Sequence, residues 1–264
     1  MPSFLESLFG LAGKTAVVTG GSRGIGHHIA RGFLEAGVER LYICSRKEEE
    51  LRQAEEKLRG LGKGEVHAFP ADLSTLAGVE GFAAEVASRE KALHILVNNA
   101  GAAWGAPLEE FPEAGWDKVL DTNLKGVFFL TQKLLPQLKA AASEEDPARV
   151  INIGSIDGLT IPLTENYPYS ASKAAVHMLT RHLGHSLARD HVNVNAIAPG
   201  LFQSRMTRWF FDSGEAGDLL ETIPRKRGGS FEDAAGAAIY LASRAGAWLT
   251  GDVIVVSGGS ALVD

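Results

Sequence analysis

Tyr169 and Lys173 are four residues apart, a spacing that puts both side chains on one face of a helix. A phenol alone is a weak acid, with an ordinary pKa of about 10, and an ammonium beside it stabilises the phenolate and lowers that value. The pair therefore reads as a proton donor for an oxygen that turns into an alkoxide when its carbon accepts hydride. Tyr167 has Ala171 as its fourth neighbour, lacks a lysine partner, and is expected in a pocket wall. Other chemistries find little support. His27 and His28 are adjacent, and His177, His182 and His185 follow Tyr169 without a carboxylate or cysteine cluster, so a solvated or interface role is expected for them and no metal site. No Gly-x-Ser-x-Gly turn marks a hydrolase. The single cysteine, Cys44, cannot form an internal disulfide, which points to a cytoplasmic setting.

A second constellation is the turn TGGSRGIG, in which Gly20, Gly24 and Gly26 follow an apolar run and open a helical segment. Glycines there let the backbone approach a pyrophosphate, while the helix N-terminus offers unpaired N–H groups and a favourable dipole. Where an NAD site presents an acid at the end of the second strand, this chain reads Cys44-Ser45-Arg46. An arginine there suits a ribose 2′-phosphate, with Arg23 as a second charge, so NADP(H) is preferred. The alternative is that Arg46 merely opens the charged helix RKEEELRQAEEKLRG as a solvated residue.

The spacing Gly-x-x-x-Gly-x-Gly resembles that of the short-chain dehydrogenase/reductase family, and later motifs agree: NNAG at 98–101, Asn123, Ser155, Tyr169-x-x-x-Lys173 and Pro199-Gly200. The resemblance runs from Lys14 to the C-terminus. It implies that Ser155 hydrogen-bonds the substrate oxygen and that Asn123 holds a water linking Lys173 to solvent. It also implies cofactor contacts from Gly20, Ser22, Arg23, Gly24, Ile25 and Gly26, from Ser45 and Arg46, and from Tyr169 and Lys173. Asp72 and Leu73 would meet the adenine, Asp72 otherwise being a helix cap. Asn98, Asn99, Ala100 and Gly101 would line the ribose side, and Pro199, Gly200, Phe202 and Ser204 the nicotinamide. Within the family the chain is most similar to β-ketoacyl reductases of the rhamnolipid-associated branch, through NNAG-x-x-WGAPLE, ARVINIGS, VNVNAIAPG and SRMTR. That implies NADPH-dependent reduction of a 3-ketoacyl thioester on an acyl carrier protein or coenzyme A. Two departures stand out: no basic cluster beside Arg189, which Asp190 follows, and Ser257-Gly258-Gly259 where relatives have Asp-Gly-Gly. The resemblance also implies a homotetramer built on helices at roughly 116–141 and 168–190.

These residues need a scaffold. Apolar runs at 15–20, 40–45, 65–72, 95–101, 149–155, 191–200 and 252–259 alternate with longer helix-period segments. Being apolar at successive positions, they predict seven parallel strands buried on both faces, in one doubly wound α/β domain spanning 1–264. Hydrophobic content of 45% and 22% charged residues fit a folded enzyme, and a net charge of −6 with scattered Lys and Arg speaks against nucleic acid. The start MPSFLESLFGLAGK has neither a signal-peptide pattern nor the ~18 apolar residues of a membrane span, and its FLESLFGL is expected to pack on the domain surface. The segment 203–224 reads as a lid over a substrate pocket walled by Trp104, Ile156, Leu163, Tyr167, Met206, Trp209 and Phe210, with Phe211 in the same aromatic stretch. Such a wall suits an acyl chain or ring. The rival readings are a general carbonyl, alcohol or sugar dehydrogenase, and an NADP-sensing module without turnover, which the presence of both Tyr169 and Lys173 disfavours.

Overall fold

Strands that are apolar at successive positions have no face for water, and the sheet meets that demand by being covered on both sides. The computed structural model describes residues 2–162, 164–202 and 220–262. Its strands are β1 (Thr15–Thr19), β2 (Arg40–Ser45), β3 (Glu65–Pro70), β4 (Ile95–Asn98), β5 (Ala148–Ile153), β6 (Val192–Pro199) and β7 (Val253–Val256). They form one sheet in the order β3-β2-β1-β4-β5-β6-β7, every pair parallel. The helices are α1 (Phe4–Phe9), α2 (Gly24–Glu35), α3 (Glu48–Arg59), α4 (Leu76–Arg89), α5 (Glu113–Leu120), α6 (Gly126–Ala141), α7 (Tyr167–Leu187) and α8 (Phe231–Ala242).

Alternate strand residues feed opposite layers. Val18, Ile43, Val97, Ile151 and Ile197 pack with Ile29 and Phe33 of α2, Leu51 and Leu58 of α3, and Leu241 of α8. Val17, Tyr42, Leu96, Val150 and Val194 pack on the other side with Val79 and Phe82 of α4, Leu130 and Leu134 of α6, and Leu187 of α7. The expected doubly wound sheet is thus the observed one. Cys44 is buried in the second layer.

One expectation is corrected. The strands stop earlier than the apolar runs: 71–72, 99–101, 154–155, 200 and 257–259 lie outside the ladder, bending away at the carboxyl ends of the strands. The FLESLFGL stretch packs on the domain through Leu11, which is in the core, and half-buried Leu8; Phe4–Phe9 is a capped helix, Ser3 and Glu6 forming its capping box, with Phe4 and Leu5 exposed. The expected lid falls mostly on 203–219, outside the described residues. No described helix is long and apolar enough to cross a membrane.

The strand order reverses between β1 and β4. Connections on either side of that point lead to opposite halves of the sheet, leaving a crevice at the carboxyl ends of the two strands. The glycine turn after β1 and the NNAG turn after β4 form its walls.

Candidate active site

Helix α7 begins with Pro168 in its first turn, where the missing N–H costs nothing, and runs for 21 residues with Tyr169, Lys173 and His177 at successive turns of one face. Lys173 is buried. Its Nζ donates to the carbonyl of Ile153, the last residue of β5, at 2.7 Å, and lies 5.5 Å above the centre of the Tyr169 ring. Ser155, two residues beyond β5, is buried, and its side chain lies close enough to the Tyr169 hydroxyl to favour the phenolate. Its Oγ also accepts the N–H of Asp157 at 3.2 Å. The structure therefore brings Ser155, Tyr169 and Lys173 together.

Their acidities differ from the sequence expectation. Burial pushes the Tyr169 hydroxyl up to about 12, the Ser155 side chain opposing and the charge of Asp157 reinforcing it. Burial also brings Lys173 down to about 8, against the pull of Asp157. The expected lowering of Tyr169 by the ammonium is thus overridden, because Nζ points at a carbonyl and sits over the ring, and desolvation of the phenolate is the larger effect.

Asn123 lies in a π-helical turn, Asp121–Lys125, between α5 and α6, a kind of insertion that re-aims a side chain. Its Oδ1 accepts the N–H of Ala102 at 2.8 Å, and its Nδ2 donates to the Ala102 carbonyl and the Ser172 hydroxyl, both at 3.0 Å. The amide is therefore a clamp between the turn after β4 and α7. A Cβ added to Gly101 would lie 3.4 Å from Asn123 Oδ1 and 3.9 Å from Lys173 Nζ, so both flank the same glycine.

In the crevice, Gly20 adopts φ 65° and Gly24 φ 54°, a region that suits glycine, and a Cβ on Gly26 would collide with Asn99 Nδ2 and the Gly20 carbonyl. Asn99 Nδ2 donates to the Thr19 carbonyl at 2.8 Å, and Thr19 Oγ1 accepts the N–H groups of Asn99 and Ala100, each at 2.9 Å. Ser22 is half-buried, Ile25 packs on the core, and Arg23, exposed at the N-cap position of α2, pairs with Glu50 of α3. Ser45 Oγ donates to the Lys47 carbonyl at 3.4 Å. Arg46 is exposed, makes no hydrogen bond or salt bridge among the described residues, and lies close enough to Asp72 for its charge to favour that carboxylate. Asp72 accepts the N–H and the hydroxyl of Ser74, at 3.1 and 2.7 Å, while Thr75 caps α4; the helix-cap alternative for Asp72 is corrected.

Three side chains turn away from where the family resemblance put them. Asn98 is buried and bonded to Thr131 and Asn152, at 3.1 and 2.9 Å, as part of the layer beneath the crevice. Leu73 is buried in the core with α4 and α6, and Phe202 packs its ring over Gly229. The backbone beside each stays near the crevice; the side chain obeys the hydrophobic layers. Pro199 ends β6, and Gly200 lies so close to Ser257 that a Cβ would come within 2.8 Å of its Cα. Trp104 lies over Gly115 and Lys118 of α5, and Ile156 is half-buried beside Ser155. Tyr167 meets Phe111 edge-on at 6.0 Å in an apolar groove of about 260 Å³ with Leu108, Pro112 and Trp116. Leu163, Ser204, Met206, Trp209, Phe210 and Phe211 lie outside the described residues.

The sequence reading passed over Thr19, Asp157, Asn166 and Ser172. His177 overturns the expectation of a solvated histidine: it is 3% exposed, tight against Gly154 and Gly158, with neither ring nitrogen hydrogen-bonded among the described residues. Its place one turn after Lys173 was readable from the helical period. His182 and His185 are exposed.

A family model described as short chain dehydrogenase matches residues 14–213, and the chain belongs to that family. Among its relatives, the rhamnolipids biosynthesis 3-oxoacyl-[acyl-carrier-protein] reductase of Pseudomonas aeruginosa is 48% identical over 97% of this chain and 99% of its own. The solved structure of the Pseudomonas aeruginosa RhlG/NADP active-site complex superposes with a TM-score of 0.92 at 47% identity, over 97% of this chain and 99% of that one. A gluconate 5-dehydrogenase from Burkholderia cenocepacia, solved with NADP and tartrate, gives a TM-score of 0.88 at 33% identity, over 98% and 99%.

His177 makes the fold pH-sensitive. Burial, then the charge of Lys173, brings its imidazole from 6.5 down to about 4 in the folded protein. Between those values the unfolded chain binds the extra proton, so stability falls as pH falls through that window. From pH 7 to pH 5 this residue removes about 2 kcal/mol. Urea unfolding at both pH values should show that loss reduced by about this amount in His177→Leu, while an equal pH slope in the two proteins would contradict the assignment.

Proposed function

We propose that this protein reduces a ketone to a secondary alcohol with NADPH, and that the ketone is a 3-oxoacyl thioester. The observation that carries the reading is the cluster of Ser155, Tyr169 and Lys173 at the carboxyl end of β5, facing the glycine crevice. The crevice fits a dinucleotide, because its turn excludes side chains at Gly20 and Gly26 and leaves the N-terminus of α2 without a side-chain cap. Gly20, Ser22, Arg23, Gly24, Ile25 and Gly26 would hold the pyrophosphate. Arg46, with Arg23 released from Glu50, would meet the 2′-phosphate, and Asp72 the adenine. Asn99, Ala100, Gly101, Lys173, Pro199 and Gly200 would hold the nicotinamide half, with the Phe202 backbone and Ser204 alongside. The bound cofactor supplies hydride to the carbonyl carbon.

Ser155 accepts from Asp157, which leaves its own proton free to donate to the substrate oxygen. Tyr169 keeps its proton at neutral pH and gives it up only as the alkoxide, a far stronger base than a phenolate, develops. Lys173, largely an ammonium at neutral pH, offsets the charge left on Tyr169. The groove of Leu108, Phe111, Pro112, Trp116 and Tyr167 supports an acyl chain over a polyol. An acyl carrier protein or coenzyme A would then present the thioester. Sugar-acid reduction is the second reading, supported by the gluconate 5-dehydrogenase likeness. Residues 1–264 act as one unit with 203–224 as lid, in the cytoplasm. Exposed Trp116, Phe128 and Met178 on α5, α6 and α7 support a homotetramer.

Tyr169→Phe keeps the ring and loses the proton, so ketone reduction should fall by at least ~10²–10⁴-fold while NADPH binding, followed by tryptophan fluorescence, stays near native. Wild-type turnover in this variant would refute the mechanism. Arg46→Asp removes a phosphate partner and adds repulsion, so the KM for NADPH should rise much more than that for NADH. Equal rises would move the 2′-phosphate site elsewhere.

A further inference from the structure

The pocket contains a charge that the proton-transfer scheme does not use. Asp157 stands two residues after Ser155 in a short 3-10 turn, Ile156–Gly158. That turn is pressed onto α7: a Cβ on Gly158 would come within 2.7 Å of both the Lys173 carbonyl carbon and the Ala174 nitrogen, so its orientation is fixed by backbone contact. The Asp157 N–H donates to Ser155 Oγ, and its Oδ2 accepts Asn166 Nδ2 at 3.2 Å. The Asn166 carbonyl in turn accepts the N–H of Tyr169 at 2.8 Å. A chain of hydrogen bonds thus runs from the Ser155 hydroxyl through Asp157 to the first turn of α7.

The carboxylate is half-buried, and its charge is felt by both Tyr169 and Lys173. The charged or titratable groups of the described structure that face it are those two, both on α7. His177, which faces the same turn from a helical turn further along, is neutral at pH 7. Burial holds the Asp157 carboxyl above its ordinary value, the Asn166 bond and the charge of Lys173 opposing that rise. The charge of Asp157 therefore reaches Lys173 before any substrate arrives. An incoming anion meets that charge beside the reacting groups.

Building on the ketone-reductase reading, we propose that Asp157 is a specificity-determining residue: its carboxylate, held by Asn166 while its N–H is bonded to Ser155, selects uncharged ketones such as 3-oxoacyl thioesters and rejects anionic keto acids. The repulsion acts on the anion alone, whereas the bracing of Ser155 affects every ketone equally.

The test compares ethyl 3-oxobutanoate with 3-oxobutanoate, which share the reacting carbonyl and differ in charge, using the full-length protein and NADPH at pH 7. Asn at 157 keeps an acceptor for Asn166 and loses the charge. In Asp157→Asn the kcat/KM ratio of anion to ester should rise about five- to tenfold over wild type, the scale of one partly screened charge near the reacting centre. Asp157→Glu, which keeps the charge, should hold the wild-type ratio. Because the readout is a ratio within one protein, partial misfolding cancels. An unchanged ratio in Asp157→Asn, with both substrates slowed alike, overturns the proposal and leaves Asp157 a brace for Ser155, the ketone reading standing. A wild type that reduces the anion and not the ester overturns the proposal and the thioester reading together.

Discussion

The hydrogen bond from Lys173 Nζ to the Ile153 carbonyl is the contact on which the geometry of the site depends. A buried ammonium must have an acceptor, and this one lies where β5 leaves the ladder, so helix and strand are held in one register. Gly154 and Gly158 allow that approach, since a Cβ on either would strike His177, and on Gly158 the backbone of α7 as well. With the helix seated, Tyr169 falls beside Ser155 and Lys173 above its ring.

The facing wall is held by a different economy of bonds. Thr19 Oγ1 accepts two N–H groups from the turn after β4, and Asn99 returns a bond to the Thr19 carbonyl. Those turns would otherwise carry orphaned backbone groups at the mouth of the crevice. Asn123 ties the same turn to α7 through Ala102 and Ser172. The crevice and the helix that carries Tyr169 are therefore parts of one hydrogen-bonded unit, placed by the reversal of strand order between β1 and β4.

Features set by short-range rules were legible from the residues alone. The strand, glycine turn and helix at 15–35 follow from apolar runs and φ requirements, and the facing of Tyr169 and Lys173 follows from the helical period. Family likeness added Ser155 and the crevice, but it carries a backbone position better than a side-chain direction. Leu73, Asn98 and Phe202 each sit near the crevice yet send their side chains into the interior. The acidity of Tyr169 was misjudged because spacing reveals the neighbouring ammonium and not the depth of burial. Asp157 and Asn166 escaped notice since their meeting depends on how the 3-10 turn docks on α7, a tertiary contact with no local signature.

The central claim is hydride transfer to a ketone carbon with proton delivery from Tyr169. It is tested most directly by incubating the protein with a 3-oxoacyl thioester and NADPH deuterated at both positions of nicotinamide C4, and reading the product by mass spectrometry. The account predicts a 3-hydroxyacyl thioester carrying one deuterium on the carbinol carbon, C3. A product without that deuterium, or no 3-hydroxyacyl product while NADPH remains bound, would contradict it.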